Sequence, residues 1–331
     1  MTQIFLMVYI ELPGKNTRRL SFYLAMEEYV ARTLNTLDDC FFMWQVQPSV
    51  IVGRNQLIET EVNIPFCKAH NISIYRRKSG GGCVYADMSN VMFSYITRDE
   101  NVNLTFNRYI NQLVLVLYRM GIEAKNSGRN DVMIDGKKVS GNAFYHIPGH
   151  SIVHGTMLYD TDMQNMVHSI TPSNDKLISK GVQSVRQHIA LLKDYTQISL
   201  EEFKSFVRQN LCKETMSLSD EDVIKIEEIE QEYLSERFIY GSNPKYAIVK
   251  KQFIKDVGHF DIRLVVKNGI IKDIDILGDY FICGDVDKRL LEPLRGVELN
   301  EESIAKALPY PIDDVIMNLE TKDFINMLIK P

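Results

Sequence analysis

Residues 76–90 read RRKSGGGCVYADMSN, three cations running into three glycines. Glycine is used where the backbone must reach positive φ or where a ligand must approach the main chain. A run of bare N–H donors holds an anion much as helix N-termini and backbone nests do. Arg76, Arg77 and Lys78 add charge beside it, Arg as a bidentate fork and Lys as a point charge. The pattern suits a loop that wraps a phosphate or carboxylate. It equally suits a glycine turn between strands with a solvated basic flank. It is not a Walker loop, because no Gly-Lys-Ser/Thr follows at the required spacing. It is not a dinucleotide fingerprint, because the glycine spacing is wrong and a strand-like segment follows.

Three further segments carry chemistry. GRND (128–131) offers Arg129, Asn130 and Asp131. KKVSG (137–141) offers Lys137 and Lys138 on a hairpin, and strand alternation turns only one of them inward. HGTMLY (154–159) offers His154 on a strand. Each has a plain alternative: Asp131 capping a turn, a solvated hairpin lysine, a hydrogen-bonded core histidine.

The elements that must position these residues follow from periodicity. An amphipathic helix is expected over 21–37, then strands at FFMWQV and SVIVG. ISIY leads into the glycine loop and VMFSYI leaves it. TFNRYINQLVLVLYRMG is a helix ended by Gly121. Asp135-Gly136 and Asn268-Gly269 are two-residue hairpin signals, and AFYH pairs with SIVHGTMLY around Pro148-Gly149. Helices are expected at about 200–211, opened by a Ser199/Glu202 capping box, and at 220–236. Turn-rich YGSNPKY (240–246) marks a linker. The expected fold class is α/β (α+β): a mixed, largely antiparallel sheet domain over 1–245, and a small α+β domain over 246–331.

Composition bounds the function. The chain has 331 residues, 45% hydrophobic and 24% charged, with net charge −5, so a general nucleic-acid role is disfavoured and any anion site must be local. The apolar N-terminal run is too short to span a membrane and lacks a signal-peptide pattern. Cys40, Cys67, Cys83, Cys212 and Cys283 are scattered and odd in number, with no CxxC pair. That fits a reducing, cytoplasmic setting without disulfides or structural zinc.

RRKSGGGCVYADMSN, SGRNDVMIDGKKVSG, HGTMLY and NDKLISKGVQSVR occur in that order. Together they resemble the lipoate–protein ligase A family, in the superfamily of biotin ligases and octanoyl transferases, over residues 20–195. SNPKY and the C-terminal segment are similar to the family's accessory domain. The resemblance implies lipoate and ATP as substrates with Mg²⁺, a lipoyl-AMP intermediate, and lipoyl-domain carrier proteins (E2 subunits, H protein) as partners, with no nucleic acid and no membrane. It implies nucleotide or adenylate contacts at Arg77, Gly82, Cys83, Val84 and Tyr85, and Lys138 as the catalytic residue touching both acyl carboxylate and α-phosphate. Ser79, Gly80, Gly81 and His154 would line the lipoate pocket. Lys180, Ser184 and Arg186 fall in the loop (175–188) expected to close over the adenylate. Asp131 is the candidate Mg²⁺ ligand on charge alone.

Two positions depart from the family pattern. Ala86 stands where His is common, and Ser89 where Gly is common. Cys83, where Ala or Thr is common, is either a small filler or, with a pKa lowered by the cations, a nucleophile. Two alternatives therefore stay open: an ATP-independent lipoyl or octanoyl transferase between carriers, and a non-catalytic binder of lipoyl-AMP or a carrier domain. A biotin ligase lacks support, since no GRGRRGR-type run is present. No general base is evident.

Overall fold

The computed structural model describes residues 7–14, 17–33, 39–98, 102–128, 130–170, 188–240, 248–267 and 269–329. Arg129, Lys180, Ser184, Arg186, Asn268, most of the 175–188 segment and the expected linker lie outside them.

An eight-stranded sheet runs in the order β11-β1-β2-β6-β10-β9-β8-β7. Its strands are β1 (Met7–Glu11), β2 (Cys40–Trp44), β6 (Val91–Thr97), β7 (Ala124–Asn126), β8 (Asp131–Ile134), β9 (Lys137–Ile147), β10 (His150–Met157) and β11 (Cys212–Ser217). β1 pairs in parallel with β2 and β11, and the other pairings are antiparallel. Alternation splits the strands between two cores. Phe41 and Phe93 face one core, where Phe106, Tyr109 and Leu113 of helix Val102–Arg119 pack. Phe42 and Met92 face the other, under helix Leu20–Thr33. That helix is buried from Leu20 to Ala31, Glu27 and Glu28 included, because helix Asp220–Leu234 covers its outer side. Two acids on a buried helix require partners.

A second sheet, β4-β3-β5, is built from β3 (Ser49–Val52), β4 (Ser73–Arg76) and β5 (Val84–Ala86). The glycine loop, 77–83, links β4 to β5. The third sheet, β12-β13-β14, comprises β12 (Ile248–Ile254), β13 (Gly258–Lys267) and β14 (Ile270–Gly278). With helices Glu301–Ala307 and Thr321–Ile329 it forms a C-terminal domain with its own apolar core. Among the described residues no helix is long and apolar enough to cross a membrane.

The two-residue turn at Asp135-Gly136 has φ of 51° and 73°, the left-handed pair that an Asp-Gly hairpin demands. The Ser199/Glu202 capping box is present, and Ser219/Asp222 forms another.

Candidate active site

The three cations beside the glycines are committed to the scaffold. Arg76 donates from Nη1 to the carbonyls of Gly53, Arg54 and Gln56, and from Nε to Ile239 O. Lys78 pairs with Glu28 at 2.8 Å and Glu232 at 2.7 Å. Arg77 donates to Ile51 O (3.2 Å), Gly80 O (2.6 Å), Gly82 O (2.8 Å) and Ser79 Oγ (2.9 Å). A guanidinium thus clasps the glycine loop through its carbonyls, which leaves the loop's shape fixed before any ligand arrives. Burial pulls the Arg77 pKa down to about 10.

The clasp continues inward. Ser79 Oγ lies 2.7 Å from His154 Nε2, and His154 Nδ1 lies 2.9 Å from Glu27 Oε2. Ser94 Oγ donates to Glu27 Oε1 at 2.6 Å and accepts from Trp44 Nε1 at 2.9 Å. The carboxylate only accepts, so His154 carries its proton on Nδ1 and, when neutral, accepts from Ser79 at Nε2. Glu27 was not foreseen from sequence. Its signal was there: two acids inside the apolar helix run LAMEEYVA.

The three glycines do different work. A Cβ on Gly80 would lie 2.2 Å from Tyr280 O, and one on Gly81, at φ +85°, would lie 3.0 Å from the Phe281 ring. Gly81 N–H donates to Tyr280 O at 2.9 Å. Only Gly82 is open, with nothing nearer than 3.9 Å. The C-terminal domain therefore sits against the first two glycines, and the third is free to face a ligand.

A cavity of about 100 Å³ opens beside Gly82. Arg77, Gly81, Gly82, Cys83, Val84, Lys138 and His154 all line it, with Asn130, Gly141 and Asn142. Leu24, Trp44, Ile51, Met92 and Phe281 give it an apolar wall. Ser79 and Gly80 do not line it; Gly80 faces the separate cleft lined by Lys78, Asn55 and Tyr280. The Tyr85 side chain packs instead in the neighbouring apolar cluster, and Tyr85 does not line the cavity. Of the two hairpin lysines, Lys138 is the one that reaches the cavity.

Lys138 Nζ is ion-paired with Asp131 Oδ1 at 2.8 Å. That oxygen is buried yet makes no hydrogen bond of proper geometry. Mg²⁺ is commonly held by one or two carboxylates, with water and substrate phosphates completing the shell. Asp131 fits that role, whereas a closed protein cage of three or more His, Cys, Asp or Glu is absent among the described residues. The Cys83 thiol does not follow the cationic expectation. Burial pushes it up to about 12, outweighing the attraction of Arg77.

Comparison with known proteins converges on one family. Residues 20–212 match the model of the lipoyl protein ligase A/B catalytic domain, and 243–328 match the bacterial lipoate protein ligase C-terminus. The chain is 31% identical to lipoate-protein ligase LplJ of Bacillus subtilis, over 97% of this chain and 100% of that protein. It is 34% identical to lipoate–protein ligase 1 of Staphylococcus aureus, over 86% and 89%. The fold matches that of P. falciparum LipL1 in complex with lipoate, with TM-score 0.75, 22% identity and 98% of each chain covered. It also matches lipoate-protein ligase A bound with ATP, with TM-score 0.62, 21% identity, and 71% of this chain and 99% of that one covered.

Proposed function

The chain belongs to the lipoate–protein ligase family, a family of ligases, and from that premise we propose that it joins lipoate to carrier proteins in two steps. In the first, a lipoate carboxylate oxygen attacks the α-phosphorus of ATP, and the bond to pyrophosphate breaks. In the second, the ε-amine of a carrier lysine attacks the lipoyl-AMP carbonyl, and the bond to AMP breaks. The carriers are lipoyl domains of E2 subunits and H protein.

The observation that carries this reading is one cavity lined both by a cation and by an apolar wall. Leu24, Trp44, Ile51, Met92 and Phe281 suit an acyl chain, with Lys138 set to meet its carboxylate. The Gly82 backbone gives a phosphate room to approach the main chain. Lys138 neutralises two anions that would otherwise repel, and it stays on the carbonyl oxygen as charge develops there. Bound Mg²⁺ would supply further charge neutralisation of the polyphosphate. Asp131 is the residue that would hold it. Lys180, Ser184 and Arg186 belong, by resemblance to the family, to the loop that closes over the adenylate. Five free cysteines suit a reducing cytoplasm.

The same cavity argues against a carrier-to-carrier transferase that works through Cys83. A thiol with a pKa of about 12 is almost entirely protonated at neutral pH, and the thiolate is the nucleophile. Lipoate-dependent ATP–pyrophosphate exchange tests the proposal. Wild type is expected to show it, and Lys138→Ala to lose about 10²–10³ in rate while keeping its melting temperature. No exchange in wild type at saturating lipoate, ATP and Mg²⁺ sinks the ligase reading. In that case, lipoyl transfer between carriers without ATP would separate a transferase from a pure binder.

A further inference from the structure

β9 lacks a side chain at the point where Lys138 needs space. An ideal Cβ on Gly141 would lie 2.6 Å from Lys138 Cε and 2.7 Å from its Nζ. A spacing of three residues places two side chains on opposite faces of a regular strand. The ladder shows why these two share a face. Met133 pairs with Lys138 and Val132 with Ser140, so Val139 has no partner on β8. One extra residue is a bulge, and it re-aims the side chain beside it. Lys138 is thereby laid along its own strand, over Gly141, toward Asp131, which is the direct cross-strand partner of Gly141.

The neighbouring strand repeats the device. A Cβ on Gly155 of β10 would lie 1.9 Å from Asn142 Oδ1. Asn142 donates to Asn130 O from its backbone N (3.0 Å) and from Nδ2 (3.0 Å), and Asn130 Nδ2 donates to Asn142 O at 3.2 Å. Two strand glycines thus make room for the two side chains that grip residues 130 and 131. A glycine that only relieved the bulge would not have a lysine tip filling its missing Cβ.

We propose that Gly141 is a positioning residue for the reaction, its absent methyl being the notch that sets the Lys138 ammonium against the acyl carboxylate and α-phosphate. The inference rests on the reading of Lys138 given above. Ordinary contact begins near 3.4 Å, so a methyl at Gly141 must push the ammonium by roughly 1 Å. A misplacement of that size costs up to about 10²-fold in rate. The atoms it meets are the end of a flexible side chain, and Gly141 is not in the left-handed region, so Gly141→Ala folds.

The test is a double-mutant cycle on the full chain with lipoate-dependent ATP–pyrophosphate exchange: wild type, Gly141→Ala, Lys138→Ala and the double variant. Gly141→Ala is expected to lose roughly 10- to 10²-fold in kcat, with melting unchanged within about 3 °C. The double variant is expected to be no slower than Lys138→Ala, because neighbours acting through one group are not additive. Gly141→Ala within twofold of wild type, or a double variant slower by the full extra factor, overturns the inference. Placement is read separately by brief acetylation and peptide mapping. Displaced from Asp131, Lys138 should label severalfold faster in Gly141→Ala, relative to the other lysines, and equal labelling also overturns the inference. If wild type shows no exchange, the ligase reading has failed, and labelling alone decides whether Gly141 places Lys138.

Discussion

Glu27 shows how much of this site is held from behind. It is fully buried, accepts from Ser94 and meets His154, which in turn meets Ser79 and, through it, the Arg77 clasp on the glycine loop. Removing one partner of a buried hydrogen-bond network leaves the others unsatisfied, at a cost of about 1–3 kcal/mol. Glu27→Ala should lose stability on that scale by urea unfolding. Glu27→Gln, which retains a carbonyl acceptor, should lose clearly less, and equal losses would show that the charge rather than the acceptor matters. Cys83 makes a prediction about pH. Its folded pKa, raised by burial to about 12, stands above the ordinary 9.0 of an unfolded thiol. The folded state therefore keeps a proton that the unfolded state gives up. The corresponding stability is fully present below pH 9 and is lost as pH rises towards 12. The unfolding midpoint should fall from pH 8 to pH 10.5 more steeply in wild type than in Cys83→Ala. At pH 8, iodoacetamide should leave Cys83 of the folded chain largely unmodified.

At the scale of elements, local chemistry was legible and remote pairing was not. The Ser199/Glu202 box could be read because all its parts lie within four residues, and Ser199→Ala should cost about 1 kcal/mol in thermal unfolding. Asp135-Gly136 likewise specifies its turn by itself, and the strands it joins alternate visibly. β11 was missed: CKETMS is polar and half-exposed, and it is a strand because β1 lies parallel beside it, some two hundred residues away in the chain. β12 was missed for a different reason: its antiparallel partner β13 follows directly in the chain, but IVKKQFI is largely exposed and does not alternate cleanly. Lys138 was expected at the site from the family motif, and alternation said that one of the two lysines would turn inward. The bulge at Val139 that decides its direction leaves no mark in the sequence, since KKVSG would also fit an unbroken strand. The arginines have a scaffold role that their charge alone does not suggest. Arg76 receives carbonyls from residues 53–56, which only the fold brings to it, and Arg77 holds the carbonyls of its own loop while also lining the cavity.

At the scale of the molecule, the C-terminal domain completes the wall of a cavity built almost wholly by the rest of the chain. Phe281 is 3% exposed and belongs to the apolar core beneath helix Val102–Arg119. Its ring stacks on Phe144 at 5.9 Å and 19°, and Met317 N–H holds its carbonyl at 3.0 Å. Gly278 N–H donates to Asn55 O and Gly81 N–H to Tyr280 O, so two backbone bonds tie the domains together just before the aromatic knob in the chain. Truncating a buried Phe costs about 3–5 kcal/mol when it fills a core. Here that cost falls on the union of two domains that each keep a core of their own. Phe281→Ala should therefore leave both domains folded but loosen their contact. Amide exchange at Gly80–Gly82 should rise by tenfold or more, while exchange within β9 and β13 stays as in wild type. A uniform rise across both domains would mean that Phe281 supports global stability instead. Gly80→Ala attacks the same contact from the other side, with a Cβ 2.2 Å from Tyr280 O, and should reproduce the exchange pattern without touching the aromatic knob. Agreement between the two variants would establish that the first two glycines of the loop serve the docking of the C-terminal domain, leaving Gly82 to the ligand.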